Sequence, residues 1–224
     1  MARPAVFIDG EAGTTGLQIQ ARLRGRPDIE LVSIDHDKRK DPAERKRMLN
    51  AADLAILCLP DEAAREAVSL IDNPNTRVID ASTAHRVNPD WAYGFPEMIA
   101  GQAEKVAGSK RVSNPGCYPT GAVALIRPLV DAGVMSADHP VTVNAISGYS
   151  GAGKSLIDVY EGRSTAKPKH AFLAYALELK HKHLPEMKVY GKLTGAPVFQ
   201  PSIAAFAQGM LINVPLHLRT LAKK

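Results

Sequence analysis

Cysteine and aromatic residues are scarce in this chain. Only two cysteines, Cys58 and Cys117, occur in 224 residues, too few for a disulfide framework. Aromatics make up 5% and do not interleave with the basic residues, which argues against a surface that stacks single-stranded nucleic acid. No run of about 18 apolar residues is present, so no membrane span is expected. The opening MARPAVFIDG has neither the apolar stretch nor the small-residue cleavage site of a secretory signal; a strand pattern leads straight into glycines. A cytoplasmic protein is therefore expected. No metal-ligand set, internal repeat or low-complexity segment stands out.

The apolar content of 45% is that of a globular protein, and the formal net charge is +5. The basic residues are scattered apart from Lys38-Arg39-Lys40 and Arg45-Lys46-Arg47. Such a distribution suits small anionic ligands rather than nucleic acid.

Along the first half, short apolar runs alternate with helical patterns. Strands are expected at 5–8, 30–34, 54–59 and 77–80, with helices at 14–24, 42–50 and 62–70. A β-α-β-α-β-α-β order implies a parallel sheet covered on both faces, and right-handed crossovers make it doubly wound, Rossmann-like. The pattern changes near Asn114–Cys117. Beyond it, helices at 119–130 and 155–160, a strand at 141–147 and extended segments at 197–206 and 209–218 suggest an α+β domain. The predicted division is a dinucleotide-binding domain over 1–116 and a catalytic substrate domain over 117–224. The apolar run Leu211–Leu218 stops six residues before the end of the chain, so the second domain reads as incomplete at its C-terminus.

Gly10, Gly13 and Gly16 follow the first strand and, with Thr14 and Thr15, open the first helix. Glycines there let a pyrophosphate approach the backbone, and the helix N-terminus offers unpaired N–H groups. The spacing G-x-x-G-x-x-G departs from the usual G-x-G-x-x-G; an ordinary glycine turn is the bland alternative. Asp35, 19 residues after Gly16, would hold a ribose 2′-hydroxyl and favours NAD. Lys38 and Arg39 would instead neutralise a 2′-phosphate and favour NADP. The two signals conflict.

Gly148–Ser155 fits the P-loop pattern G-x-x-x-x-G-K-[ST] and raises a nucleoside triphosphatase as the rival class. It comes after a complete α/β domain, and no apolar strand ending in aspartate follows it to help hold Mg²⁺.

Cys58 lies in an apolar run and reads as a buried structural thiol. Cys117 sits among Asn114, Pro115 and Gly116, close to the start of the predicted 119–130 helix. A helix N-terminus favours a thiolate, and a nucleophilic cysteine needs an acid/base partner. His181 and His183 flank Lys182. If that segment is extended, both fall on one side; otherwise they are exposed histidines at a basic helix end.

Six motifs now stand together: Gly10–Gly16, Asp80-Ala-Ser-Thr-Ala-His-Arg86, Gly94-Phe-Pro-Glu97, Asn114-Pro-Gly-Cys-Tyr-Pro-Thr120, Ser147-Gly-Tyr-Ser-Gly-Ala-Gly153 and His181-Lys-His-Leu-Pro-Glu186. This set resembles the short form of the N-acetyl-γ-glutamyl-phosphate reductases, relatives of the aspartate-semialdehyde dehydrogenases. The resemblance spans essentially the whole chain. It implies NADPH-dependent reduction of an acyl phosphate in arginine biosynthesis, with Cys117 forming a thioester and His181 or His183 managing protons. It further implies Arg86 at the substrate phosphate, Ser82 and Asn114 near nicotinamide and substrate, Gly151 and Gly153 at the cofactor, and Lys154 as added positive charge. Members of this family run on past the point where this chain ends. Exposed apolar strands in the second domain suggest a homo-oligomer. The remaining alternatives are the same chemistry on another acyl phosphate, and a non-catalytic dinucleotide-binding protein.

Overall fold

A computed structural model describes residues 2–11, 13–39, 41–168 and 170–222. The chain divides into two compact units, Met1–Pro115 and Gly116–Lys224.

The first unit runs β1 (Ala5–Asp9), α1 (Thr14–Leu23), β2 (Glu30–Val32), α2 (Pro42–Ala51), β3 (Leu54–Leu57), α3 (Asp61–Ser69), β4 (Arg77–Asp80), β5 (Ala92–Tyr93), α4 (Gln102–Gly108) and β6 (Arg111–Ser113). The strands form a six-stranded sheet in the order β2-β1-β3-β4-β6-β5, and every pairing is parallel. Strands buried on both faces need apolar residues at nearly every position. Val6, Phe7 and Ile8 of β1 and Ala55, Ile56 and Leu57 of β3 supply them. One core cluster gathers Phe7, Leu49, Leu57, Ala64 and Val78, and another packs Val6, Ile8 and Ile56. Strand order reverses between β1 and β3, so the carboxyl ends of these two strands border the crevice where such sheets bind ligands. β5, α4 and β6 are not among the elements expected from the sequence; β5 and β6 are only two and three residues long and carry no periodicity.

The second unit runs α5 (Cys117–Asp131), β7 (Thr142–Gly148), α6 (Lys154–Tyr160), β8 (Phe172–Ala174), α7 (Leu184–Tyr190), β9 (Val198–Ala204) and β10 (Met210–Asn213). Its mixed sheet has the order β10-β7-β9-β8: β7 and β9 are parallel, and the outer strands are antiparallel to them. One face of this sheet, with Val143, Ala145 and Phe199, joins Tyr118, Ala122 and Ile126 of α5 and Met187 of α7 in a single core. The helix α5 approaches β10 closely: a Cβ on Gly121 would lie 2.6 Å from Ile212 Cγ1.

In this unit two predicted spans need correction. The 119–130 helix begins two residues earlier, at Cys117, since proline is tolerated in a first turn. The 209–218 segment is a strand only over Met210–Asn213; Pro215 follows and cannot donate to a ladder. That strand is paired with β7, and among the described residues no other strand flanks it.

Candidate active site

In the first unit, the turn after β1 is shaped by its glycines. Gly10 has φ +87°, and a Cβ there would sit 2.4 Å from the Cys58 carbonyl oxygen. A Cβ on Gly16 would lie 2.3 Å from the Gly10 oxygen. Both glycines are demanded by the packing of turn on helix and strand. Gly13 differs: its backbone is extended, and an added Cβ would meet nothing in the fold closer than 3.4 Å. The fold itself therefore tolerates a side chain at Gly13. Gly13 N–H donates to Gly10 O at 3.0 Å, and the first helical bond of α1 is Leu17 N–H to Gly13 O. The N–H groups of Thr14, Thr15 and Gly16 therefore lie ahead of the helix ladder, where an anion is favoured.

A cavity of about 550 Å³ opens beside this turn, bordered by Asp9, Gly10, Glu11, Ile34, Arg39 and Arg45, among others. It lies at the carboxyl ends of β1 and β3, and a dinucleotide fits its donor set. Gln20 Nε2 donates to Glu11 Oε2 at 3.2 Å, engaging that carboxylate from α1. The basic pair expected beyond β2 is split. Arg39 borders the cavity, whereas Lys38 is exposed and does not. A short 3₁₀ turn over His36–Lys38 aims consecutive residues in different directions. Asp35 is exposed and also outside the lining, while Asp37 is part of it. A second cation at the cavity, Arg45, was missed because it lay within a charged helical run. It is largely buried and pairs with Asp9 at 2.9 Å.

The segment after β4 is a hydrogen-bonded frame. Asp80, fully buried, accepts from Ser82 N–H at 2.9 Å, from Ser82 Oγ at 2.7 Å, and pairs with His85 Nδ1 at 2.7 Å. His85 stacks on Trp91, with ring centroids 4.1 Å apart. The Ser82 hydroxyl, expected near nicotinamide, is thus engaged in holding its own loop. Arg86 is buried, and its Nη2 donates to Ala81 O at 2.9 Å. Asn114 is exposed, its N–H donating to Asp80 O at 2.7 Å. Cys58 is half-buried rather than buried, and burial pushes its thiol up to about 11.

In the second unit, Cys117 is the first residue of α5 and is exposed. Its position at the positive end of a 15-residue helix favours the thiolate. Gly116 is the N-cap, and its N–H donates to Glu186 Oε2 at 2.8 Å. Tyr118 turns its ring inward between Phe199, at 5.2 Å, and the two histidines, at 6.2 Å for His181 and 5.8 Å for His183. The histidine pair therefore packs against the first turn of the cysteine helix. His181 and His183 lie 4.6 Å apart, centroid to centroid. The segment is not extended, which corrects the reason given for their pairing: residues 182 and 183 form a turn leading into α7, and His183 is its N-cap. They are also not exposed: His183 is buried and His181 half-buried. His183 N–H donates to His181 Nδ1 at 3.1 Å, so a neutral His181 carries its proton on Nε2. Burial, then the Lys182 charge, push His181 below the usual histidine value, with Glu178 opposing. Burial likewise raises the Tyr118 and Tyr175 hydroxyls, which are linked at 3.2 Å.

The front of the P-loop-like segment is fastened to the fold. Gly148, Tyr149 and Ser150 donate their N–H groups to Gly209, Phe206 and Ala207 carbonyls at 2.9–3.1 Å. These bonds tie the front of the loop to the segment leading into β10. Lys154, expected to add charge near the substrate phosphate, is exposed and pairs with Asp158 at 2.6 Å on its own helix. Gly151 lies in a 3₁₀ turn, and Gly153 caps α6 with φ +87°.

Residues 5–106 match the model of the semialdehyde dehydrogenase NAD binding domain, and 117–224 that of the semialdehyde dehydrogenase dimerisation domain. The N-acetyl-gamma-glutamyl-phosphate reductase of Chelativorans sp. (strain BNC1) is 60% identical over 97% of this chain and 70% of its own length. The chain belongs to the N-acetyl-γ-glutamyl-phosphate reductase family. The relative of that name from Rhizobium etli is 58% identical, over 98% of this chain and 72% of its own. As a family member the chain is an oxidoreductase, and it spans roughly seven-tenths of these reductases. In fold it is similar to aspartate semialdehyde dehydrogenase II of Vibrio cholerae, with a TM-score of 0.70 at 15% identity, covering 96% of this chain and 74% of that one. Among the described residues no helix is long and apolar enough to cross a membrane.

Proposed function

We propose that this reductase converts N-acetyl-γ-glutamyl phosphate to N-acetylglutamate semialdehyde with NADPH, through a thioester on Cys117, in arginine biosynthesis in the cytoplasm. Residues 1–116 bind the dinucleotide and 117–224 carry the catalysis and self-association of a homo-oligomer. The observation that carries this reading is the exposed Cys117 at the head of α5, with two histidines packed against the same turn.

The Cys117 thiolate attacks the acyl carbon of the substrate, the carbon–oxygen bond to phosphate breaks, and a thioester remains. Arg86 is assigned to the leaving phosphate, which a guanidinium can hold through two oxygens. A nicotinamide dinucleotide, held through its pyrophosphate at the glycine turn, would supply the hydride for the thioester carbon. Collapse of the resulting thiohemiacetal expels the Cys117 thiolate and gives the aldehyde. The His181–His183 pair moves the proton that the oxyanion and the thiolate exchange; His181 presents Nε2–H because its Nδ1 is occupied. Gly13, Thr14, Thr15 and Arg39 are assigned to the cofactor, and the NADP resemblance is favoured over NAD by Arg39 at the cavity.

The test is the reverse assay with N-acetylglutamate semialdehyde, NADP and phosphate or arsenate. Cys117→Ser is expected to lose on the order of 10³-fold or more in rate, since an alkoxide forms far less readily than a thiolate, with nicotinamide binding retained. A Cys117→Ser protein of near-normal rate would sink the thioester mechanism.

A further inference from the structure

Glu186 is 2% exposed, and a carboxylate that deep persists only where hydrogen bonds replace its water. It occupies the third position of α7, from which a glutamate commonly folds back to the amide of its own N-cap. Here that amide, of His183, is given to His181 Nδ1 at 3.1 Å. The Glu186 side chain crosses instead to α5 and accepts the Gly116 N–H at 2.8 Å. Gly116 is thereby held from both sides. Its carbonyl takes the first bond of α5, from Thr120 N–H at 3.0 Å, and also accepts from Thr120 Oγ1 at 2.9 Å. His183 and Glu186 are three residues apart, neighbours on one helical face. One short helix thus presents a histidine and fixes the turn that sets the neighbouring cysteine.

We propose that Glu186 is a positioning residue for Cys117, acting through the Gly116 amide; this rests on Cys117 being the nucleophile. The carboxylate serves as a strong acceptor for a backbone donor. Its charge does not help, since a negative group near Cys117 opposes the thiolate. An uncharged acceptor of the same shape should therefore serve, and an apolar group of the same size should not.

The experiment uses the full chain with Cys58→Ala, so that alkylation reads Cys117 alone. Rates of iodoacetamide alkylation across about pH 6 to 9, kcat, KM and thermal melting are compared for the parent, Glu186→Gln and Glu186→Met. The Gln variant, which still accepts the amide, is expected within about threefold of the parent in alkylation and kcat. The Met variant is expected to lose on the order of 10²-fold in kcat, as for a misplaced reacting group, with an altered alkylation profile and unchanged KM for the nucleotide. Gln as damaging as Met, or Met as harmless as Gln, overturns the proposal. If the Met protein does not fold, Glu186→Asp replaces it: it keeps the charge but shortens the reach, and parent-like rates would overturn the proposal. A parent whose Cys117 alkylates no faster than Cys58 does in a Cys117→Ala chain overturns the nucleophile reading, and the Glu186 proposal with it, before any Glu186 variant is compared.

Discussion

Alanine at Gly16 and at Gly13 should separate folding from ligand binding within one turn. At Gly16 the new Cβ would meet Gly10 O at 2.3 Å, Glu11 Cα at 2.7 Å and Glu11 C at 2.9 Å. All three are backbone atoms, so no rotamer change relieves the overlap; the turn and α1 must part by most of an ångström. Overpacking of that kind costs roughly 1–3 kcal/mol, of which the better helix propensity of alanine returns up to about 1 kcal/mol. For a unit of this size each kcal/mol lost lowers Tm by roughly 4–8 °C. At Gly13 the nearest atom to the new Cβ is 3.4 Å away. The extended backbone suits alanine, and the loss of a glycine N-cap and the gain in chain stiffness nearly cancel, each about 1 kcal/mol or less. The expected Gly13→Ala phenotype is therefore a near-normal Tm with nicotinamide-nucleotide affinity reduced on the order of tenfold or more, because the methyl occupies the approach to the turn. Melting by circular dichroism and a fluorescence titration with NADPH read the two quantities separately. Normal NADPH affinity in Gly13→Ala would show that no ligand approaches there, and a normal Tm in Gly16→Ala would refute the packing argument.

Arg39→Ala should weaken NADPH by about 1.5–3 kcal/mol, the worth of one charge-assisted contact, while sparing NADH; Lys38→Ala should do much less, and equal effects in a two-cofactor titration would rule out the assignment of Arg39. Because burial holds His181 below the usual histidine value, the unfolded chain binds this proton first. Its contribution to stability is thus present above about pH 6.5 and lost as pH falls through the depressed folded value. His181→Asn should flatten that part of a melting-temperature series on acidification, and an unchanged slope would dissociate it from the pH response. Lys154→Ala should alter kcat and Tm little, since an exposed i,i+4 ion pair contributes about 0.5 kcal/mol or less; a large loss of activity would return Lys154 to the substrate phosphate.

The sequence by itself determined the parallel α/β half, because doubly buried strands and amphipathic helices leave strong local patterns in residues such as Val6–Ile8 and Ala55–Leu57. It also determined the position of Cys117, since the turn residues before it and the helical pattern after it are local signals, and Gly16, whose glycine identity is fixed by contacts within one strand-turn-helix unit, whereas Gly10 is also constrained by the Cys58 carbonyl beyond β3. What lay beyond local pattern was decided by tertiary structure. The two- and three-residue strands β5 and β6 exist only as ladder partners of a neighbour. Arg39 and Lys38 are adjacent in sequence, yet only the path of the chain after β2 sends one to the cavity. Arg45 reads as one charge in a solvated helix until Asp9 is placed beside it. Gly148–Ser155 matches a phosphate loop by spacing, but only the fold shows that the N–H groups of Gly148, Tyr149 and Ser150 bond residues 206–209, about 60 positions away. The Glu186–Gly116 bond spans 70 residues, and no spacing rule reaches that far: a buried carboxylate finds its partner only when packing has excluded water and left one backbone donor within reach.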